Sequence, residues 1–294
     1  MWSRISLLVA LSCHAQAQIP VDRLLDAVSD HADVFHRQAR DLVSRETLVQ
    51  RCYRIPEHGH FAVGKAAEPL PAQVVVTEVV SEYTLSSLKN DRSGSLLEVR
   101  EVLQKNDVAL QTPAAARKAL SADSSAGEDR IRKKLLTAFS QLGLLDVATD
   151  YGSILLAFTH AALPQLNITP LGRRIFDAED AFVFAWAQSE GGLLEFRGHK
   201  TARRPMHGEL WARLSDGSPE RITAVVEHPE KDHVLSDEAS IDFAPSRAGC
   251  VTPVSVVHRH YVNGKLLTEN LYTYAPFERF GADTNIRYDT APAK

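Results

Sequence analysis

Apolar residues recur at helical spacing in two stretches of the chain and at alternate positions through most of the rest. Leu24, Leu25, Val28, Ala32, Phe35, Ala39 and Leu42 fall close to a 3.6-residue period, which predicts a helix over 21–42. Pro20 precedes it, and Arg23, Asp26, Asp30 and Arg37 take its wet side. Residues 43–55, 73–85 and 95–104 mix Val, Leu and Tyr with Glu and Arg, the pattern of strands with one solvated face. Between them, 56–71 is rich in Gly, Pro, His and Ala and reads as an exposed loop, and 89–94 reads as a connector.

The middle of the chain changes period. Ser125-Ala126-Gly127-Glu128 has the form of a capping box. The stripe Ile131, Leu135, Phe139 and Leu142 follows it and predicts a helix that ends at Gly143, with Arg130, Arg132, Lys133 and Lys134 on its solvated face. A second helix is expected from Thr149-Asp150 to just before Pro164. Its run Ile154-Leu155-Leu156-Ala157-Phe158 is apolar on every side, so protein covers it all round or it covers something greasy.

From residue 168 alternation returns. Phe182, Phe184 and Trp186 share one strand face, and Ala181, Val183, Ala185 and Ala187 the other. Strands are expected at 208–214 and 220–228, joined through Asp216-Gly217-Ser218-Pro219, and at about 233–243. The clearest local signal is Asn263-Gly264 between 253–262 and 265–274, the preferred pair of a type I′ hairpin turn. That turn sets Val262 opposite Lys265 and Tyr261 opposite Leu266; counting back gives His260 with Leu267 and His258 with Glu269. Helix, strands, helical insert, strands is the order of an α+β fold: a single strongly curved antiparallel sheet, an unclosed β-barrel, with helices packed on its concave face.

The amino terminus adds a compartment. Arg4 supplies a short positive region, Ile5 to Leu11 an apolar core too short to span a bilayer, and Ala15-Gln16-Ala17 a small-x-small cleavage pattern. Residues 1–17 thus read as an export signal, leaving 18–294 as a single half-barrel domain with a helical insert at about 114–163. Cys13 offers the alternative of a lipid-anchored chain. No later stretch approaches 18 uninterrupted apolar residues, so no transmembrane segment is expected after the signal. Outside the cytoplasm the remaining pair, Cys52 and Cys250, could form a disulfide or stay as two buried thiols.

Composition narrows the chemistry. A formal net charge of −4 with interspersed signs gives no clustered basic surface, which argues against nucleic acid as a partner. The chain carries no G-x-S-x-G, H-E-x-x-H, phosphate-cradling or dinucleotide-binding motif, so no catalytic residue and no cofactor are assigned. His258 and His260 share a strand face, and His58 and His60 lie in the first long loop, but neither pair has an evident third ligand nearby, and no metal is assigned.

The hairpin Gly208-Glu209-Leu210-Trp211-Ala212-Arg213-Leu214, Asp216-Gly217-Ser218-Pro219-Glu220-Arg221-Ile222 resembles one in the periplasmic lipoprotein-carrier superfamily (LolA- and RseB-like half-barrels), where a G-x-L-W strand runs through a D-G-x-P turn into an R-I/V strand. Pro253-Val254-Ser255-Val256 resembles the family's later proline-opened strand, and the whole chain looks like a group of uncharacterised exported bacterial proteins. The resemblance implies a hollow that accommodates acyl chains or is plugged by helices. With an open hollow, Ile154, Leu155, Phe158, Phe182, Phe184 and Trp186 would line a site for a hydrophobic small molecule or an acylated protein, each buried methylene contributing about 0.8 kcal/mol. With a filled hollow, the same six are ordinary core, and an outer surface would bind an envelope protein partner. A hydrolase is a third reading, which needs a His and a Ser or Asp meeting in one pocket.

Overall fold

A computed structural model of the chain describes residues 20–54, 73–87, 96–123, 128–145, 147, 151–188, 205–229 and 233–279. The expected export signal, the loop 56–71, the connector 89–94, Cys13, His58, His60 and Ser125 lie outside the described residues. Twelve strands form one sheet: β1 (Leu42–Arg54), β2 (Gln73–Ser87), β3 (Leu96–Lys105), β4 (Val108–Ala109), β5 (Asn167–Phe176), β6 (Glu179–Gln188), β7 (Met206–Arg213), β8 (Pro219–Pro229), β9 (Val234–Pro245), β10 (Val251–Val262), β11 (Lys265–Tyr274) and β12 (Glu278–Arg279). Their order is β4-β3-β2-β1-β11-β10-β9-β8-β7-β6-β5, with β12 on β1, and every pairing is antiparallel. The sheet does not close, and the α+β half-barrel expected from the element order is the fold observed.

Helix α1 (Val21–Gln38) lays Leu24, Val28, Ala32 and Phe35 on the sheet's inner face with no exposed surface. It is shorter than the periodicity predicts. A 3-10 turn, Ala39–Asp41, carries the chain round a corner, and Leu42 begins β1 instead of ending the helix. Leu42 keeps its apolar phase because it faces the same core from a different element.

The hairpin motif of the sequence has a packing role. A Cβ on Gly217 would sit 2.5 Å from the Ala27 Cβ, so this turn lets α1 press against the strand ends; Gly217 takes φ +71°, and Asp216 Oδ1 accepts from the Ser218 N–H at 2.9 Å. At Gly208 a Cβ would lie 1.9 Å from the Thr223 carbonyl oxygen, the same oxygen that accepts the Trp186 indole N–H at 3.1 Å.

Two helices on the insert stand at the β3 margin. α2 (Pro113–Asp123) covers the outer face of β3, where Leu97, Val99 and Leu120 make a small separate cluster. α3 (Glu128–Gln141) sends Leu135 and Phe139 into the main core and ends as expected: Gly143 N–H bonds Ser140 O and Leu144 N–H bonds Phe139 O, the paired bonds of a glycine-terminated helix. The second expected helix, 149–163, does not form among its described residues, 151–163. Only 3-10 turns form, Ile154–Phe158 and Leu163–Gln165. The Gly152 N–H is engaged by a side chain of the sheet and Pro164 has no N–H to donate, so contacts from the sheet and not helical periodicity set the backbone here.

The Asn263-Gly264 turn has φ +49° and +74°, the type I′ geometry, and pairs Val262 with Lys265 and Tyr261 with Leu266 as expected. A bulge between His260 and Tyr261 then shifts the register. His260 faces Thr268 and His258 faces Asn270, not Leu267 and Glu269; Glu269 instead meets Arg259.

Candidate functional site

The inner face of the sheet can be read in rows across the strands. One row holds Val226, Asp237, His260, Thr268, Cys52 and Val75, and the next holds Ala224, Ala239, His258, Asn270, Gln50 and Thr77. A third row, Ile222, Ile241, Val256, Tyr272, Leu48 and Val79, is apolar but for the tyrosine hydroxyl. Beyond it lie Tyr274, Glu46 and Ser81, then Ser44, Tyr83 and Arg100. Polar groups buried in such numbers need partners, and the structure supplies two networks.

The first is ionic. Arg100 forks onto Glu46 through Nε (2.7 and 3.0 Å) and Nη2 (2.8 Å), and Nη2 also reaches Glu98 Oε2 at 2.8 Å. All three side chains are essentially dry. Glu98 Oε1 accepts the Tyr83 hydroxyl at 2.9 Å and the Gly152 N–H at 2.6 Å. The Tyr83 and Tyr272 rings stand 4.9 and 5.8 Å from the guanidinium carbon. Burial pushes the Glu46 carboxyl above its ordinary range, against the pull of Arg100. Burial also opposes the charge on Arg100, but Glu46 and Glu98 outweigh it and hold the guanidinium well above its ordinary value.

The second network is a relay of neutral donors ending on a carboxylate. Leu145 N–H donates to Gln50 Oε1 (3.0 Å), and Gln50 Nε2 donates to Leu145 O (2.6 Å) and Asn270 Oδ1 (2.7 Å). Asn270 Nδ2 donates to His258 Nδ1 (3.0 Å), which places the imidazole proton on Nε2, and Nε2 donates to Asp237 Oδ1 (2.9 Å). His260 Nδ1 reaches the same oxygen at 2.9 Å. The two histidines that share a face by sequence thus meet at Asp237, a residue that sequence reasoning did not single out. Among the described residues, no group of three His, Cys, Asp or Glu side chains is arranged to hold a metal ion.

Both networks grip one segment. Leu145 is held by Gln50, Gly152 by Glu98, and Tyr151 packs its ring on His258 with centroids 5.2 Å apart. The 3-10 turn 154–158 that follows lies between α1 and the sheet. Ile154, Leu155, Ala157 and Phe158 are at most 1% exposed. Phe158 meets Trp186 edge-on at 5.7 Å, and Phe182 lies 4.9 Å from Phe184. The six residues named by sequence as a ligand wall are therefore brought together, as parts of one continuous core that includes α1. A cleft of about 120 Å3 lies elsewhere, between β3 and α3, lined by Val99, Val102, Gln111, Lys134 and Leu135 among others.

Cys52 and Cys250 are both free thiols, which corrects the disulfide alternative. Cys52 lies in the row of Thr268 and His260, whereas Cys250 precedes β10 at its other end. Ten residues of strand separate Cys250 from His260, roughly 30 Å, and a disulfide needs Cα atoms within about 7 Å. Burial raises the Cys250 thiol above its ordinary value.

The networks were hard to see in the sequence because β1 alternates two polar-bearing sets. Ser44, Glu46, Gln50 and Cys52 point inward, while Arg45, Thr47 and Arg51 point outward. The usable signal was Glu98-Val99-Arg100, two opposite charges on one face of a strand flanked by Leu96 and Val102.

No protein-family model matches the chain, and no curated protein does. Three solved structures are similar over most of its length. A DUF1329 family protein from Desulfovibrio piger shares 10% identity at a TM-score of 0.41, covering 91% of this chain and 95% of that one. A structure described as an outer membrane lipoprotein-sorting protein domain, from Vibrio parahaemolyticus, shares 8% identity at a TM-score of 0.39, covering 90% of this chain and 96% of that one. MucB in complex with MucA(peri) shares 10% identity at 0.18, covering 90% and 100%. All three are loose overlays of fold alone, and the functional reading rests on the chain's own side chains.

Proposed function

We propose that this chain is an exported protein-interaction module of the cell envelope, whose half-barrel hollow is filled from within. The observation that carries the reading is the burial of Ile154, Leu155 and Phe158, at 0% exposure, against Phe182, Phe184 and Trp186. Small-molecule sites typically enclose about 300–1,000 Å3 of apolar space, and this hollow is packed by α1 and the 151–158 segment. The export pattern of residues 1–17 supports the compartment, and no described helix is long and apolar enough to cross a membrane. With the interior occupied, the surfaces left for recognition are the outer face and the free margins of the sheet. Neither polar network presents a nucleophile paired with a base at an open cleft, so we assign the networks to anchoring the insert and not to catalysis.

Native mass spectrometry after mild purification, together with titration of a fluorescent fatty acid, tests the reading. The expected result is a clean apo mass and no saturable uptake. A stoichiometric lipid adduct, or saturable binding lost when Phe158 is replaced, would overturn it and restore a carrier of hydrophobic ligands.

A further inference from the structure

The two margins of the sheet are treated very differently. At the β3 side the edge is finished by its own chain. β4 pairs with it, Leu110 and Gln111 N–H groups donate to Leu103 O, Gln111 Nε2 donates to Val102 O at 2.7 Å, and α2 and α3 pack over it. At the other side β5 pairs with β6 alone among the described residues, and most of its ten residues are exposed. A sheet edge of that length carries a row of unused backbone donors and acceptors.

The side chains along β5 say what would suit that row. Arg173 and Arg174 project to opposite faces, and among the described residues neither meets a carboxylate; Arg174 Nη1 donates to the Arg173 carbonyl, at 3.1 Å. Two of the three nearby acids are already engaged; the third, Asp180, lies opposite Ile175. Glu179 lies 2.9 Å from Arg213, and Asp177 acts on Arg221, which also bonds Asp242 at 2.6 Å. Ile175, 66% exposed, and Leu171, 43% exposed, add apolar surface beside the two cations. Phe176 supplies an aromatic floor on the outer face, with Trp211 at 6.0 Å and the Arg221 guanidinium 4.7 Å over its ring. The bulge between Pro170 and Gly172 splits the strand into two regular stretches, and the one from Arg173 to Phe176 has no proline, so each of its residues carries a backbone N–H.

We infer that the β5 edge is a docking site for an extended acidic segment of a partner protein, which adds as a further strand with two adjacent carboxylates opposite Arg173 and Arg174. Adjacent positions on a strand point to opposite faces, so one Asp-Glu pair meets both arginines, while the main chain pairs with the open edge. This inference rests on the proposed interaction role and names the margin and the chemistry that would serve it.

The test uses the full chain and a labelled ten-residue peptide of alternating Thr and Val with a central Asp-Glu pair, read by fluorescence anisotropy. The comparison peptides carry Lys-Lys at the centre, or the acidic pair with N-methylated alternate amides. The acidic peptide should bind roughly tenfold or more tightly than the Lys-Lys peptide, and N-methylation should abolish the binding. In R173E/R174E, two surface changes verified to leave the circular dichroism unaltered, the preference should invert toward Lys-Lys. Equal binding of both charges, undiminished binding of the N-methylated peptide, or an unchanged preference in R173E/R174E would overturn the inference. So would a concentration-dependent dimer abolished by R173E/R174E, which would assign the edge to a second copy of the chain. Each of these leaves the fatty-acid result untouched, so loss of the β5 site is distinguishable from loss of the interaction role.

Discussion

Replacing Arg100 with Met is the sharpest probe of how the insert is held. The methionine keeps much of the aliphatic volume and removes the charge. Lost with it are three N–H···O contacts to Glu46 and one to Glu98, all between 2.7 and 3.0 Å, and the cation over the Tyr83 and Tyr272 rings. Summing charge-assisted hydrogen bonds would overcount, because the arginine also bears a desolvation cost when it is buried. The better measure is the penalty for leaving a buried carboxylate unpaired, about 3–5 kcal/mol for removing one partner of a buried pair. Two carboxylates remain here, so the upper part of that range is expected at pH 7.5. With a urea slope of about 3 kcal/mol/M, the unfolding midpoint should fall by roughly 1.3–1.7 M, followed through the emission of buried Trp186. Burial already raises the Glu46 carboxyl against the pull of Arg100, and losing that pull leaves burial unopposed, so the contribution of Glu46 is present at low pH and lost as pH rises. The deficit against the parent chain should therefore shrink on going from pH 7.5 to 5. A midpoint within 0.3 M of the parent, or a deficit independent of pH, would refute the reading that this arginine neutralises the core.

The remaining predictions are smaller in scope. Gly152→Ala would put a methyl 2.5 Å from the Tyr83 hydroxyl and 2.7 Å from Glu98, so we expect a loss of about 1–3 kcal/mol and faster hydrogen exchange in 151–158; unchanged exchange there would contradict the anchoring role. Burial raises the Glu46 carboxyl, so its contribution is full below the unfolded value and fades as pH rises through the folded one; Glu46→Gln should flatten that slope in urea midpoints, and parallel profiles would count against it. Ala178 sits at φ +68° in the β5–β6 turn, and Ala178→Gly should stabilise by about 1 kcal/mol in thermal melts; a destabilised variant would show that the turn is not strained. Thiol titration of the non-reduced chain under denaturing conditions should find Cys52 and Cys250 both reactive, and a mass two hydrogens short would contradict their separation.

The fold was legible wherever a local rule and the tertiary structure agreed. Asn263-Gly264 specified its turn because both residues accept positive φ, and the Phe182, Phe184, Trp186 alternation named a core face directly. Asn106-Asp107 and Asp177-Ala178 make turns with the same positive φ at both positions, but lack the glycine that would announce them. The bulge after His260 left no mark in the sequence, and it alone redirected His258 from Glu269 to Asn270. The segment 151–158 misled because an all-apolar run indicates burial without indicating its backbone; its shape was decided by Glu98 and Gln50, both distant in sequence. The ion network was concealed for a related reason. Strand β1 carries polar residues on both faces, and only the facing strands reveal which set is dry.

The strand that opens the sheet, β1, lies in its interior and is completed by one of the last, β11. Gln50 and Asn270 touch across 220 positions of chain. Closing so long a loop makes this seam an expensive, slow contact in the search for the native state. A nascent chain emerging amino end first would hold Glu46 without Tyr274 and Gln50 without Asn270 until nearly the whole polypeptide had been delivered. Truncation before the terminal hairpin should thus yield not a smaller stable half-barrel but a chain with its wettest interior residues stranded, a natural substrate for quality-control proteases.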